Sequence, residues 1–234
     1  EQGREQFEGA WPPGMPKELT EGAAVRDPSN VWDLCPPSFV FHPSKGEANP
    51  RQALREAYAQ RASAAVAKHA ADPSSLPNGP EDGNRWILKP SEGAKGEGIF
   101  IENTLEAIEA HLDRQEAKAG EGEAVSSWVV QQYIHNPLLL KAGGRKFDMR
   151  CWVLVDSSYG IHLYRHGVLR VASARYDPND VNNRFAHLTN HCIATEHEEY
   201  GKYEPTNELF YAAFDAELNE RFPALAAGAP DGSV

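Results

Sequence analysis

Cysteine is scarce in this 234-residue chain: Cys35, Cys151 and Cys192 are far apart, odd in number and without a CxxC pair. A disulfide framework and a thiol-rich zinc site are thereby disfavoured, and a reducing compartment is expected. Long apolar runs are missing too. The longest, around Trp152 to Val155, is strand-length and far short of the roughly 20 residues that cross a bilayer, so no membrane partner is expected. Positive charge is in deficit, with 23 Lys and Arg against 34 Asp and Glu and a net charge of −11. Nucleic acid is therefore not an expected partner, because an acidic chain repels phosphodiester backbones unless its basic residues gather in one place. No HExxH, nucleophile elbow, nucleotide P-loop or dinucleotide fingerprint occurs, which leaves metalloprotease and hydrolytic-triad chemistry without support. Nothing in the first ten residues reads as an apolar signal segment.

What is present is an ordinary soluble composition, 41% hydrophobic, arranged in blocks. The first thirty residues carry Pro12, Pro13, Pro16 and Pro28 and favour irregular structure. After Pro50, strong helix formers predict a helix over residues 51–70. Residues 1–71 thus read as an irregular segment with a helix, and residues 72–84 (DPSSLPNGPEDGN) as a linker of turn residues. Trp86 to Lys89 and Gly98 to Ile101 read as short strands joined by a glycine-rich turn. Thr104 then caps an amphipathic helix whose apolar face is Leu105, Ile108 and Leu112. Strands are expected over 127–134, 147–155, 161–164 and 168–171, the last two flanking a hairpin turn at Arg165-His166-Gly167. This order implies an α+β or α/β domain built mainly of antiparallel hairpins, without an internal repeat.

Between Lys141 and Arg175 seven basic residues face only Asp148 and Asp156, a local balance of +5 that leaves −16 for the rest. Two readings stand: a groove for an anionic ligand, or a solvated strand face with Arg165 and Arg170 on a neighbouring edge. The two-residue strand period puts Lys146, Asp148 and Arg150 on one face and leaves Phe147, Met149 and Cys151 for a core. The turn Pro90 to Gly98 (PSEGAKGEG) has the composition of a ligand-free hairpin tip, or of a flap whose amides approach phosphates. His187, Thr189, Asn190, His191, Cys192 and His197 cluster in sequence, but one cysteine without a paired motif is a poor zinc set. Thr189 and Asn190 are more useful as neutral hydrogen-bonding groups.

The runs WILKPSEGAKGEGIFI, VVQQYIHNPLLL, RKFDMRCWVLVD, GIHLYRHGVLR, HLTNHCI and YGKYEPTNELF, in this order and spacing over residues 86–210, strongly resemble the tubulin–tyrosine ligase family. NVWDLCPPSFV, residues 30–40, is similar to the segment that leads into that family's central domain. GAKGEGI, RKFD, LYRxGVLR and HLTNHC look most like the tyrosine-adding branch rather than the polyglutamylating or glycylating relatives. The resemblance implies an ATP-grasp-like α+β fold, with a central lobe over 85–135 and an incomplete C-terminal lobe over 136–234. It implies ATP as cofactor, and tyrosine and the acidic tail of tubulin as partners of a monomeric, cytoplasmic, cytoskeleton-associated ligase working through an acyl phosphate. A polyglutamylase or glycylase of the same family, and a catalytically inactive fragment that binds tubulin tails or nucleotide, are the alternatives.

By position, the resemblance implies that Lys89 contacts the ATP phosphates and that Lys95, Gly96 and Gly98 form a flap over them. Gln131, Gln132, Tyr133 and Ile134 would be the hinge beside adenine, with Lys146 and Asp148 at base and ribose. Arg150 and Arg170 would grip the substrate carboxylate and acyl phosphate, and His187, Thr189 and Asn190 would line the acceptor and amino-acid side. Family members hold Mg2+ with a late Asp and an ExN strand, which this chain lacks. Glu217-Leu218-Asn219 has the letters but sits in a helical pattern, so no metal ligand is expected here, and a C-terminally truncated chain is the expectation.

Overall fold

Pro50 sets the first turn of helix α1 (Arg51–Ala71), which follows strand β1 (Ser38–Phe41). The computed structural model describes residues 35–71 and 84–223; the expected irregular N-terminal segment and residues 72–83 of the linker lie outside them. The described chain divides into two units, one of residues 35–137 and 177–184, the other of residues 138–176 and 185–223.

In the first unit, strands β2 (Trp86–Pro90) and β3 (Phe100–Glu102), helix α2 (Leu105–Gly120) and strand β4 (Trp128–Gln132) follow α1. The strands form an antiparallel sheet in the order β1-β4-β2-β3. Alternation along β2 and β4 turns Trp86, Leu88, Trp128 and Val130 toward a core shared with Phe41, Leu54, Ile108 and Leu112. Ile87, Ile101 and Tyr133 build a second cluster on the opposite face. Helix α2 starts where expected: the Thr104 side chain accepts from Ala107 N at 3.2 Å, a cap worth about 1 kcal/mol. Arg51 and Arg55 on α1 pair with Asp113, Glu116 and Glu109 of α2. One linker residue departs from expectation. Asn84 is buried, donating to Tyr58 O at 3.0 Å and accepting from Trp86 Nε1 at 3.0 Å.

The second unit contains β5 (Leu139–Leu140), β6 (Arg145–Arg150), β7 (Val153–Val155), β8 (Ile161–Leu163), β9 (Val168–Val171) and β10 (Glu208–Phe210). Helices α3 (Arg184–His187), α4 (His191–Ala194) and α5 (Tyr211–Arg221) follow, α3 beginning at the boundary between the units. The sheet order is β10-β9-β6-β5, and β7 and β8 make a separate two-stranded ribbon. Leu140, Leu169, Val171 and Phe214 form the core, with Phe147 against it. Among the described residues no helix is long and apolar enough to cross a membrane.

Three expectations are corrected here. The single strand over 147–155 is interrupted at Cys151 and Trp152, and β10 adds a strand that propensity did not announce. The expected hairpin at Arg165-His166-Gly167 does not pair its flanks, because β8 turns back on β7 and β9 joins β6 and β10. The Asp156 side chain accepts from Ser158 N and Gly160 N at 2.8 and 2.9 Å and closes the ribbon one turn earlier. Third, Met149 and Cys151 are exposed rather than core. Strand β5 covers only Arg145 and Lys146, so the rest of β6 runs along a sheet edge.

Candidate functional site

Because Trp86 and Leu88 face the helices, Lys89 lies on the other face of β2, where Gln131 of β4 stands opposite its neighbour Ile87. Lys89 Nζ donates to Gln131 Oε1 at 2.9 Å, Gln131 Nε2 donates to Ser38 Oγ at 2.7 Å, and Ser38 Oγ donates to Pro36 O at 2.7 Å. This chain of bonds fixes an ammonium that is half-buried, and the loss of water lowers its pKa. In the turn that follows, Lys95, Gly96 and Gly98 have φ of 61°, 88° and 70°. Glycine takes this left-handed region freely; Lys95 does so at a cost of the kind that concentrates at functional sites.

Along the segment expected as the hinge the side chains alternate between the two faces of the sheet. Gln131 faces Lys89, whereas Gln132 belongs to the opposite face, its amide donating to Pro37 O at 2.8 Å. Tyr133 is buried against Ile87 and Ile101 with its amide donated to Arg85 O at 2.8 Å. Ile134 is 63% exposed.

In the second unit Lys146, Asp148 and Arg150 share a face of β6, and Arg170 of β9 stands directly opposite Asp148. Arg170 Nε donates to Asp148 Oδ1 and Nη2 to Oδ2, each at 2.9 Å. The Thr189 hydroxyl donates to the same Oδ2, and Lys146 Nζ donates to His187 O at 2.9 Å. Arg150 is exposed at the strand end. The His187 ring is buried, 5.1 Å from that of Tyr176, so its backbone rather than its imidazole borders this face. Asn190 precedes α4, and its carbonyl accepts from Ile193 N and Ala194 N. Asp148, Arg170 and Thr189 are thus brought together. The partnership of Gln131 with Lys89, and Glu208 opposite Arg170 on β10, were not anticipated; both are cross-strand neighbours that no local pattern encodes.

The basic segment is not one open groove. Lys141 pairs with Glu220, Arg145 with the buried Glu204 and Arg170 with Asp148. Glu204 and Glu220 lie after the segment in sequence, so the local balance of charge overstated the positive face. On the shared face of β6 and β9 stand Lys146, Arg150 and Arg170, the last closed on Asp148. Magnesium is implied by the resemblance; among the described residues no three His, Cys, Asp or Glu side chains converge for a metal, whereas this ion is commonly held by one or two carboxylates and the substrate phosphates. Glu217 lies on α5, as its helical pattern predicts, and accepts from Lys141 N and Arg221 Nη1.

Both units carry hydrogen-bonded cationic side chains on strand faces, Lys89 in the first and Lys146 and Arg170 in the second. The chain belongs to the tubulin-tyrosine ligase family, whose model matches residues 33–220. It is similar to the probable tubulin polyglutamylase ttll-9 of Caenorhabditis elegans, 38% identical over 117 residues, which is 49% of this chain and 27% of that one. Tubulin glycylase 3C of Tetrahymena thermophila is 37% identical over 113 residues, 47% and 10% of the two chains. The probable tubulin polyglutamylase TTLL9 of Bos taurus is 30% identical over 147 residues, 50% and 32%. The chain therefore spans a third or less of the length of these relatives.

Proposed function

We propose that the chain is an ATP-dependent carboxylate–amine ligase that extends the acidic tail of tubulin, acting as a cytoplasmic, cytoskeleton-associated monomer. The observation that supports this reading is the set of Lys146, Asp148, Arg150 and Arg170 held in register on one face of β6 and β9, in a chain of this family. An ATP-grasp-like arrangement, with residues 85–135 as central lobe and 136–234 as C-terminal lobe, is part of the proposal.

The reaction begins when an oxygen of the tail carboxylate attacks the γ-phosphorus of ATP and ADP leaves. The amine of the incoming amino acid then attacks the acyl carbon, inorganic phosphate departs, and the nitrogen releases a proton. Phosphoryl transfer of this kind depends on positioning and on charge neutralisation. Lys89 and Lys95 would meet the phosphates together with the amides of Gly96 and Gly98. Gln131, Gln132, Tyr133 and Ile134 would run beside the base, and Lys146 and Asp148 would stand at base and ribose. Arg150 and Arg170 would receive the tail carboxylate and acyl phosphate, for which a planar guanidinium is better shaped than an ammonium. The segment of His187, Thr189 and Asn190 would border the incoming amino acid.

Motif resemblance favours tyrosine as that amino acid; the relatives described above are named polyglutamylases and a glycylase, which favours glutamate or glycine. We adopt glutamate or glycine, with tyrosine as the alternative. The test incubates the purified chain with ATP, detyrosinated tubulin and each labelled amino acid in turn, and reads incorporation by mass spectrometry. Glutamate or glycine on the tail is the expected result, and tyrosine alone would overturn the choice. The same cationic strand face also fits a second reading, a module that binds tails or nucleotide without catalysis. Retained tail binding with no incorporation of any amino acid would establish it.

A further inference from the structure

Strand β9 places Arg170 between two acids, with Asp148 of β6 directly opposite on one side and Glu208 of β10 on the other. Alternation of the ladder makes Asp148 the hydrogen-bonded partner of Arg170 and Glu208 the non-hydrogen-bonded one, whose side chain starts closer. The guanidinium nevertheless closes on Asp148, through Nε and Nη2 at 2.9 Å each, while Glu208 accepts a long 3.5 Å bond from Thr206 Oγ1. Thr189 reaches in from the segment before α4 and donates to Asp148 Oδ2. The paired side chains are 28% and 32% exposed, so water competes and the pair contributes little to stability. Its value lies in geometry, because two parallel bonds fix the plane of a guanidinium as a single bond does not.

We infer that Asp148 is a positioning residue: it holds Arg170 by the Nε–Nη2 edge, steadied by Thr189, and leaves the Nη1 edge to receive a carboxylate of an acidic peptide. This rests on the reading of Arg170 as a tail ligand given above. Charge alone argues the reverse. Removing a carboxylate beside an anion site adds one positive charge and should tighten the binding of an acidic peptide. Positioning demands weaker binding. Glu208→Gln adds the same charge from the other neighbouring strand without touching the fork, so Asp148→Asn and Glu208→Gln together form a test of sign.

The experiment measures anisotropy of a fluorescent glutamate-rich peptide at low salt with the full chain and its variants. Glu208→Gln should bind as tightly as the parent or up to about threefold tighter, whereas Asp148→Asn should bind roughly tenfold more weakly despite its added charge. Asp148→Glu should recover most of that loss. Once Arg170 is replaced by Lys, adding Asp148→Asn should cost no more than about twofold further, because the two act as one unit. Asp148→Asn binding as tightly as Glu208→Gln would overturn the inference and leave the ligand reading intact. Absence of binding by the parent chain would overturn that reading and the inference with it. If Asp148→Asn does not fold, as judged by circular dichroism, Asp148→Ser takes its place, and binding by that variant as tight as by Glu208→Gln would be the overturning result.

Discussion

Arg145 and Glu204 are both buried, and one nitrogen of the guanidinium, Nη2, donates to both carboxylate oxygens, at 2.7 and 2.9 Å. The Tyr203 ring lies 4.2 Å from Arg145 Cζ, and Gly143, at φ 75°, leaves room for that ring where a Cβ would come within 3.0 Å of it. Arg145→Met alone should destabilise the chain by about 3–5 kcal/mol, because it strands a buried carboxylate. Arg145→Met with Glu204→Leu should recover much of the loss. Urea unfolding of the two variants checks both statements.

His111 is packed on α2 with ring centroids 5.0 Å from Phe100 and 4.3 Å from Trp128. Burial first, then the charges of Arg114 and Lys118, push its pKa down from 6.5 to about 4. As pH falls the unfolded chain takes up this proton before the folded one does. The associated stability is full above pH 6.5, is lost progressively down to about pH 4, and amounts to about 3 kcal/mol in total. His111→Phe should lose less stability than the parent between about pH 7.5 and 4.5, as read from urea midpoints.

A Cβ on Gly167 would lie 2.2 Å from Tyr211 Cζ. Tyr211 is held against the second-unit core and hydrogen-bonded to Cys151 Sγ at 3.1 Å, and that bond pushes its pKa up to about 12. Gly167→Ala should therefore cost about 1–3 kcal/mol by overpacking. In a background of Tyr211→Ala the same substitution should cost little. Thermal unfolding of the cycle gives the answer.

On the proposed reading Lys89 is a phosphate ligand whose direction is set by Gln131. Lys89→Met should weaken ATP binding roughly tenfold or more, and Gln131→Ala by a few-fold, since it loosens the ammonium without removing its charge. Calorimetric titration with ATP distinguishes the two magnitudes. Equal affinities across parent and variants would remove Lys89 from the site.

Arg150 is exposed at the end of β6. Arg150→Ala should reduce the affinity for a glutamate-rich peptide and flatten its salt dependence, with unfolding changed by less than about 0.5 kcal/mol.

Much of the first unit was legible in the sequence because its signals are local. Thr104 followed by Ile108 and Leu112 predicts a capped, one-sided helix, and the alternation of Trp86, Ile87, Leu88 and Lys89 predicts a strand with a core face. The faces of β6 were legible for the same reason as far as Phe147. Beyond it, whether Met149 is buried depends on how far β5 extends, a tertiary fact. The seven basic residues were visible, but not the remote Glu204 and Glu220 that engage two of them. For the candidate site, alternation placed Lys146, Asp148 and Arg150 together. The closure of Arg170 on Asp148 depends on the register of β9, which two strands with a ribbon between them do not declare in advance.

That register has a consequence for how the chain tolerates changes of length. Loss of one residue from β6 at fixed pairing would swing Lys146, Asp148 and Arg150 onto the face that packs with Leu169 and Val171, and expose Phe147 in their place. Loss of two would restore the faces while moving every partner. The turn of residues 156–160, exposed and closed by the Asp156 carboxylate, carries no such parity. Insertions there should be absorbed at any length, whereas β6 and β9 should accept length changes only in even steps.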